Sequence, residues 1–165
     1  MLNIPKILFE GGEDAAIEAI ASIRDWRSEE LSKLMLELAS IGFNRWPTLL
    51  VKLGANVNHI GSQGETAISQ CIHGEKINRR GQRDPTFCTA IEFLYLGANP
   101  NALYMSEYSM LELSLECDRP EFAALLLASG ATLTKSIRVC YESSGLTWAK
   151  HIVDVWDRGQ LEKAP

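Results

Sequence analysis

The sequence predicts an all-α protein of stacked antiparallel helix pairs joined by short hairpin loops, and three observations carry that prediction. The phrase Leu53-Gly54-Ala55-Asn56-Val57-Asn58 returns as Leu96-Gly97-Ala98-Asn99-Pro100-Asn101 and, worn down, as Ser129-Gly130-Ala131-Thr132-Leu133-Thr134. Gly97 and Gly130 lie 33 residues apart, a period of helix-pair arrays rather than of globular enzymes. Each copy closes an apolar helical stretch, with its glycine just past the end, where a left-handed residue stops the helix. Residues 1–165 read as one modular domain, with atypical capping helices at both ends.

The elements follow in order. Capping helices occupy about 13–41. In Asp14 to Trp26 the apolar positions Ile17, Ile20 and Ile23 recur every third residue beside Ala16 and Ala19, which predicts one buried stripe. Ser28 before Glu29 and Glu30 starts a second helix, with a capping hydroxyl and acids at the positive end of the dipole. Leu31, Leu34, Met35 and Leu38 mark its inner face, and it ends near Gly42. Trp46-Pro47 opens the return helix, which stops at Gly54.

The clearest repeats span about 42–134. A second pair takes Ala67 to Ile72 and a helix announced by Asp84-Pro85, with an insertion from His73 to Arg83 between them. That insertion makes the Gly54 to Gly97 interval 43 residues. A third pair takes Met110 to Cys117 and Phe122 to Ala128, with Asp118-Arg119-Pro120-Glu121 as cap and reaching-back glutamate. Helical periodicity in Ile137 to Tyr141 and in Trp148, Ile152, Val153 and Trp156 predicts a capping pair over about 135–157.

Composition sets bounds on function. At 46% hydrophobic and 22% charged the chain can bury a sizeable core and has no disordered character. A net charge of −5 argues against nucleic acid and mildly favours a basic protein partner. Cys71, Cys88, Cys117 and Cys140 lie 17, 29 and 23 residues apart without a Cys-x-x-Cys pair, and read as reduced core thiols of a cytoplasmic protein. No secretory signal is evident, and no apolar run reaches the roughly 18 residues that span a bilayer.

Gly64-Glu65-Thr66-Ala67-Ile68-Ser69 and Glu107-Tyr108-Ser109-Met110-Leu111-Glu112 stand where ankyrin repeats have Gly-x-Thr-Pro-Leu-His, and Leu125-Leu126-Leu127-Ala128-Ser129-Gly130-Ala131 matches the end of their second helix. The chain thus resembles the ankyrin-repeat family over about 42–134, although no repeat keeps Thr-Pro-Leu-His intact and Glu107 replaces the turn glycine. The resemblance implies an ankyrin-like solenoid that binds another protein on its concave face. On the family's geometry the hairpin tips are Ile60, Ser62, Gln63 and Glu65, then Tyr104, Met105, Ser106 and Tyr108, with His73 and Glu116 at the ends of first helices.

Tyrosine and methionine are enriched in interface cores, which makes Tyr104, Met105 and Tyr108 the sharpest interface signal. The alternative is that Leu103, Tyr104 and Met105 pack against the neighbouring hairpin. Lys76, Arg79, Arg80 and Arg83 form the one basic patch, which either meets phosphate or an acidic partner or is a solvated loop.

Catalytic chemistry is not expected, nor a cofactor, a bound metal or a small-molecule substrate. His59, His73 and His151 are 14 and 78 residues apart, and His-Glu-x-x-His, Gly-x-x-x-x-Gly-Lys and Gly-x-Ser-x-Gly are all missing. Gly61-Ser62-Gln63-Gly64 has glycines where hairpin turns need them, and Glu29/Glu30 and Asp154/Asp157 read as solvated helix faces. Three functions remain in play. The first is a binding module that inhibits a partner, most concretely an immunity or antitoxin protein acting on a basic bacterial toxin or nuclease, by analogy. The second is a structural adaptor or assembly factor joining two proteins, and the third is RNA binding through the arginine-rich loop 76–83.

Overall fold

A computed structural model describes residues 3–42, 45–74 and 85–161, and it is mostly helical, with a single two-strand ribbon among those residues. Its contacts group into two compact units, Met1–Asn99 and Pro100–Pro165.

The first unit opens with α1 (Ile4–Ser22). The Asn3 side chain caps it by accepting from the Lys6 N–H at 3.0 Å, and Pro5 sits in the first turn, where its missing N–H costs nothing. The helix therefore begins well before the expected boundary near residue 13. At Gly12 the backbone leaves helical geometry (φ 81, ψ −177), which splits α1 in two. Its buried residues are Ile4, Leu8, Ala16 and Ile20, while Ile17 and Ile23 are only half-buried. The expected run to Trp26 stops short at Ser22, because the Trp26 indole turns back to donate to the Ile20 carbonyl at 3.0 Å.

α2 (Ser28–Ala39) buries Leu31, Leu34, Met35 and Leu38, as its periodicity predicts. Its cap position is Arg27 rather than Ser28; the Arg27 N–H donates to the Glu30 carboxylate at 3.3 Å. α3 (Trp46–Lys52), α4 (Ala67–His73) and α5 (Pro85–Tyr95) complete this unit. α2 packs on α3 and α4 on α5 as pairs; across the pairs α2 meets α4 and α3 meets α5. The core centres on Trp46, whose ring meets Phe93 edge to face at 5.5 Å. Among the described residues its indole Nε1 is buried without a hydrogen-bond partner.

In the second unit β1 (Leu103–Tyr104) and β2 (Tyr108–Ser109) form an antiparallel ribbon that leads directly into α6 (Met110–Glu116). α7 (Pro120–Ala128), α8 (Lys135–Ser143) and α9 (Thr147–Leu161) follow. The order of packing repeats here: α6 on α7, α8 on α9, α6 against α8 and α7 against α9. Buried Tyr141 ties the pairs together, donating its hydroxyl to the Leu111 carbonyl at 2.8 Å and meeting Trp148 edge to face at 5.8 Å. Burial, with the Glu112 charge secondary, pushes its phenol well above the usual range.

The recurring phrase has one structural meaning in three places. Gly54, Gly97 and Gly130 take φ of 107, 93 and 95, and the N–H of the alanine after each donates to Leu50, Phe93 or Leu126, in each case at 2.9 Å. This is the Schellman closure, and it explains why the glycines recur. The asparagines complete it. Asn58 donates its amide to the Gly97 carbonyl at 3.1 Å and accepts from the Asn99 N–H at 2.7 Å. Asn101 does the same for the Gly130 carbonyl and the Thr132 N–H, at 3.1 and 2.8 Å. At the first copy two serines of α2 stand in for the asparagine, Ser28 donating to the Gly54 carbonyl at 2.5 Å and Ser32 accepting from the Asn56 N–H at 2.9 Å.

Two further expectations change. Asp118 adopts φ 50, and its carboxylate accepts from the Trp148 indole at 2.8 Å; the cap residue of α7 is Arg119. Of the four thiols only Cys71 is buried; Cys117 is half-buried, and Cys88 and Cys140 stand on the outward sides of α5 and α8. Apolar periodicity does not separate a core cysteine from one that merely shares its helix.

Candidate functional site

The loop before α4 carries the first set of tip residues. Gly61 N–H donates to the Glu65 carbonyl at 2.9 Å and Gly64 N–H to the Gly61 carbonyl at 3.1 Å, which closes a turn with Ser62 and Gln63 at its apex. The Glu65 carboxylate turns inward to accept from the Gln63 N–H at 2.8 Å, so it braces the loop from within. Ile60 is 61% exposed just before the turn, and Ser62 and Gln63 are exposed at its apex. Thr66 then caps α4: it and Ser69 exchange hydrogen bonds, backbone to side chain, at 2.8 and 3.1 Å. His73, the last residue of α4, is exposed.

The ribbon before α6 is the second and sharper feature. Tyr104 pairs with Tyr108 across the strands, which puts both side chains on one face of the ribbon, while Leu103 pairs with Ser109 on the other. The turn between them is built from Met105 (φ 53) and Ser106 (φ 62), and the Glu107 N–H closes it onto the Tyr104 carbonyl at 3.1 Å. Two consecutive non-glycine residues in left-handed geometry cost on the order of 1–2 kcal/mol each. Such strain persists where surrounding structure over-determines it. Below the turn Ser109 caps α6 and exchanges hydrogen bonds with Glu112, whose carboxylate accepts from the Ser109 hydroxyl at 2.7 Å.

Exposure of this ribbon is high for its composition. Leu103 is 46% exposed, Met105 53% and Tyr108 40%, while Tyr104 is half-buried. Ser106 and Glu116 are also exposed, Glu116 as the last residue of α6. Each unit thus holds one set of the expected positions: Ile60, Ser62, Gln63, Glu65 and His73 in the first, Tyr104, Met105, Ser106, Tyr108 and Glu116 in the second. Arg79 and Arg80, with Lys76 and Arg83 of the same basic segment, lie outside the described residues.

Sequence reasoning missed two features. One is Glu107, exposed at the apex beside the tyrosines. Its signal is the charge pattern: from Pro100 to Thr134 the acids are Glu107, Glu112, Glu116, Asp118 and Glu121, and the one cation is Arg119. That arginine is 1% exposed, paired with Glu121 at 2.7 Å and laid over the Phe122 ring at 4.4 Å. The other is an open apolar groove of about 420 Å³ between α7 and α9, floored by Ala124, Leu127 and Ala128 against Ile152, Val155 and Trp156, with His151 on its lining. Small residues four apart on α7, facing an apolar stripe on α9, are the legible hint of it.

Among the described residues no group of His, Cys, Asp and Glu is arranged to hold a metal ion, and no helix is long and apolar enough to cross a membrane. Compared with known proteins, the chain matches no family model and no curated sequence.

Proposed function

We propose that the protein is an ankyrin-like, non-catalytic binding module whose exposed hairpins, above all Tyr104 to Tyr108, engage and inhibit a partner protein in the cytoplasm. The observation that carries this reading is the ribbon tip, where Leu103, Met105 and Tyr108 stay in solvent while Met105 and Ser106 are held in left-handed geometry. Large side chains left this far in water add little to the core, and the tight hairpin turn, with its two central residues at positive φ, fixes where they are presented. The most concrete form of the reading is an immunity-type inhibitor of a basic bacterial toxin or nuclease. It is supported by the net charge of −5 and by the analogy with short, free-standing, acidic arrays.

The test is capture of partners by the full chain from its native cells, followed by affinity measurement with purified partner. Tyr104→Ala, Met105→Ala and Tyr108→Ala should each weaken binding by roughly 1–3 kcal/mol while the melting temperature holds. Loss of stability ahead of binding would make these residues ribbon packing instead.

A second reading, an adaptor joining two proteins, is favoured by the apolar groove between α7 and α9, because it is lined by elements other than those of the ribbon. Two surfaces with separate linings suit simultaneous attachment of two partners.

A further inference from the structure

We infer that the Tyr104–Tyr108 ribbon with Glu107 is a reading head for a cationic side chain, arginine above all, set beside an apolar residue on the partner protein. This rests on the binding-module reading and adds the chemistry of what is bound. Tyr104 and Tyr108 project from one ribbon face, with Met105 and Glu107 at the apex. An aromatic face attracts a guanidinium through its quadrupole, and a neighbouring carboxylate completes the recognition with charge-assisted hydrogen bonds.

Charge complementarity selects this occupant over a neutral or acidic one. Glu107 and Glu116 are both exposed, and the second unit presents no cation from Pro100 to Thr134 except the buried Arg119. An acidic segment brought here would meet the like charges of Glu107 and Glu116, whereas a basic one is steered in and held. Arginine is preferred to lysine because its planar fork can stack on a ring and reach a carboxylate together. Met105, exposed at the apex, supplies the apolar contact for the flanking residue and adapts its shape to it.

The experiment is selection of a displayed random dodecapeptide library on the immobilised full chain. Enriched sequences are synthesised, along with copies in which each arginine is replaced by neutral citrulline. Arginine next to an aliphatic or aromatic residue should dominate the enriched sequences. Binding should fall about tenfold with citrulline, with Glu107→Gln and with Tyr108→Ala, and weaken as salt is raised. Tyr108→Phe should keep most of the binding, which separates loss of the ring from loss of the fold, and Lys150→Ala on α9 should leave it unchanged. Enrichment of neutral or acidic peptides, or binding indifferent to citrulline and Glu107→Gln, overturns the inference but leaves the binding-module reading standing. No enrichment above background overturns it as well. The binding-module reading falls separately, if partner capture by the native chain is insensitive to every ribbon variant.

Discussion

Asn58 holds Gly97 from one repeat away: its side-chain amide donates to the Gly97 carbonyl at 3.1 Å, and its carbonyl oxygen accepts from the N–H two residues on. A helix that ends in a Schellman closure leaves backbone groups around its glycine with no partner of their own. One asparagine satisfies two of them, and Asn101 repeats the arrangement on Gly130. The second asparagine of the recurring phrase is therefore a rung between successive turns.

Asn58→Ala and Asn101→Ala should each destabilise by about 1–2 kcal/mol, since two hydrogen bonds of ordinary net value are lost at a partly solvated site. Thermal unfolding of the single variants measures this. A change within the roughly 0.5 kcal/mol expected of any surface substitution would show that the rung contributes nothing.

The third repeat offers a test of register. Leu126 is fully buried and its carbonyl receives the Ala131 N–H, whereas Glu116 is exposed at the end of α6. Leu126→Ala should cost roughly 2–5 kcal/mol and Glu116→Ala less than about 0.5 kcal/mol. Denaturant unfolding yielding equal costs would contradict the assignment.

What is legible in the chain follows from the kind of signal involved. Helix stops at Gly54, Gly97 and Gly130, the starts at Trp46 and Pro85, and the buried stripe of α2 are local chemistry, and the sequence states them plainly. The kink at Gly12, the early start of α1 and the return of Trp26 to Ile20 depend on tertiary contacts that no period announces. The tip residues are found by position in a repeat. Glu107 escapes because a single acid at a turn has no motif of its own, and the α7–α9 groove escapes because helical periodicity describes faces that pack and not the gap they leave.

Strain at the ribbon tip is measurable in stability. Asparagine tolerates left-handed geometry better than serine, so Ser106→Asn, at φ 62, should stabilise the protein by about 0.5–1 kcal/mol. A melting temperature that falls would show that Ser106 is held by its surroundings without strain.

The last helix pair contains a pH-dependent tie. Arg138 binds Asp157 through two hydrogen bonds at 2.5 and 2.6 Å, and this pairing holds the Asp157 carboxyl below its ordinary value of 3.8. A carboxylate with a depressed folded pKa stabilises the fold above its unfolded pKa, and that contribution disappears as pH falls through the folded value. Asp157→Asn should therefore melt below the native protein at neutral pH, with the two curves converging in acid as pH falls past 3.8 and through the depressed folded value. A gap that stays constant from neutral pH down into that acid range would assign the loss to packing.

The most direct test of the binding surface is hydrogen–deuterium exchange of the full chain, alone and saturated with its captured partner. Slowed exchange across the ribbon and α6, residues 103–116, is the predicted result. Protection confined to α7 and α9, with the ribbon exchanging as freely as before, would contradict the account and move the working surface to the apolar groove.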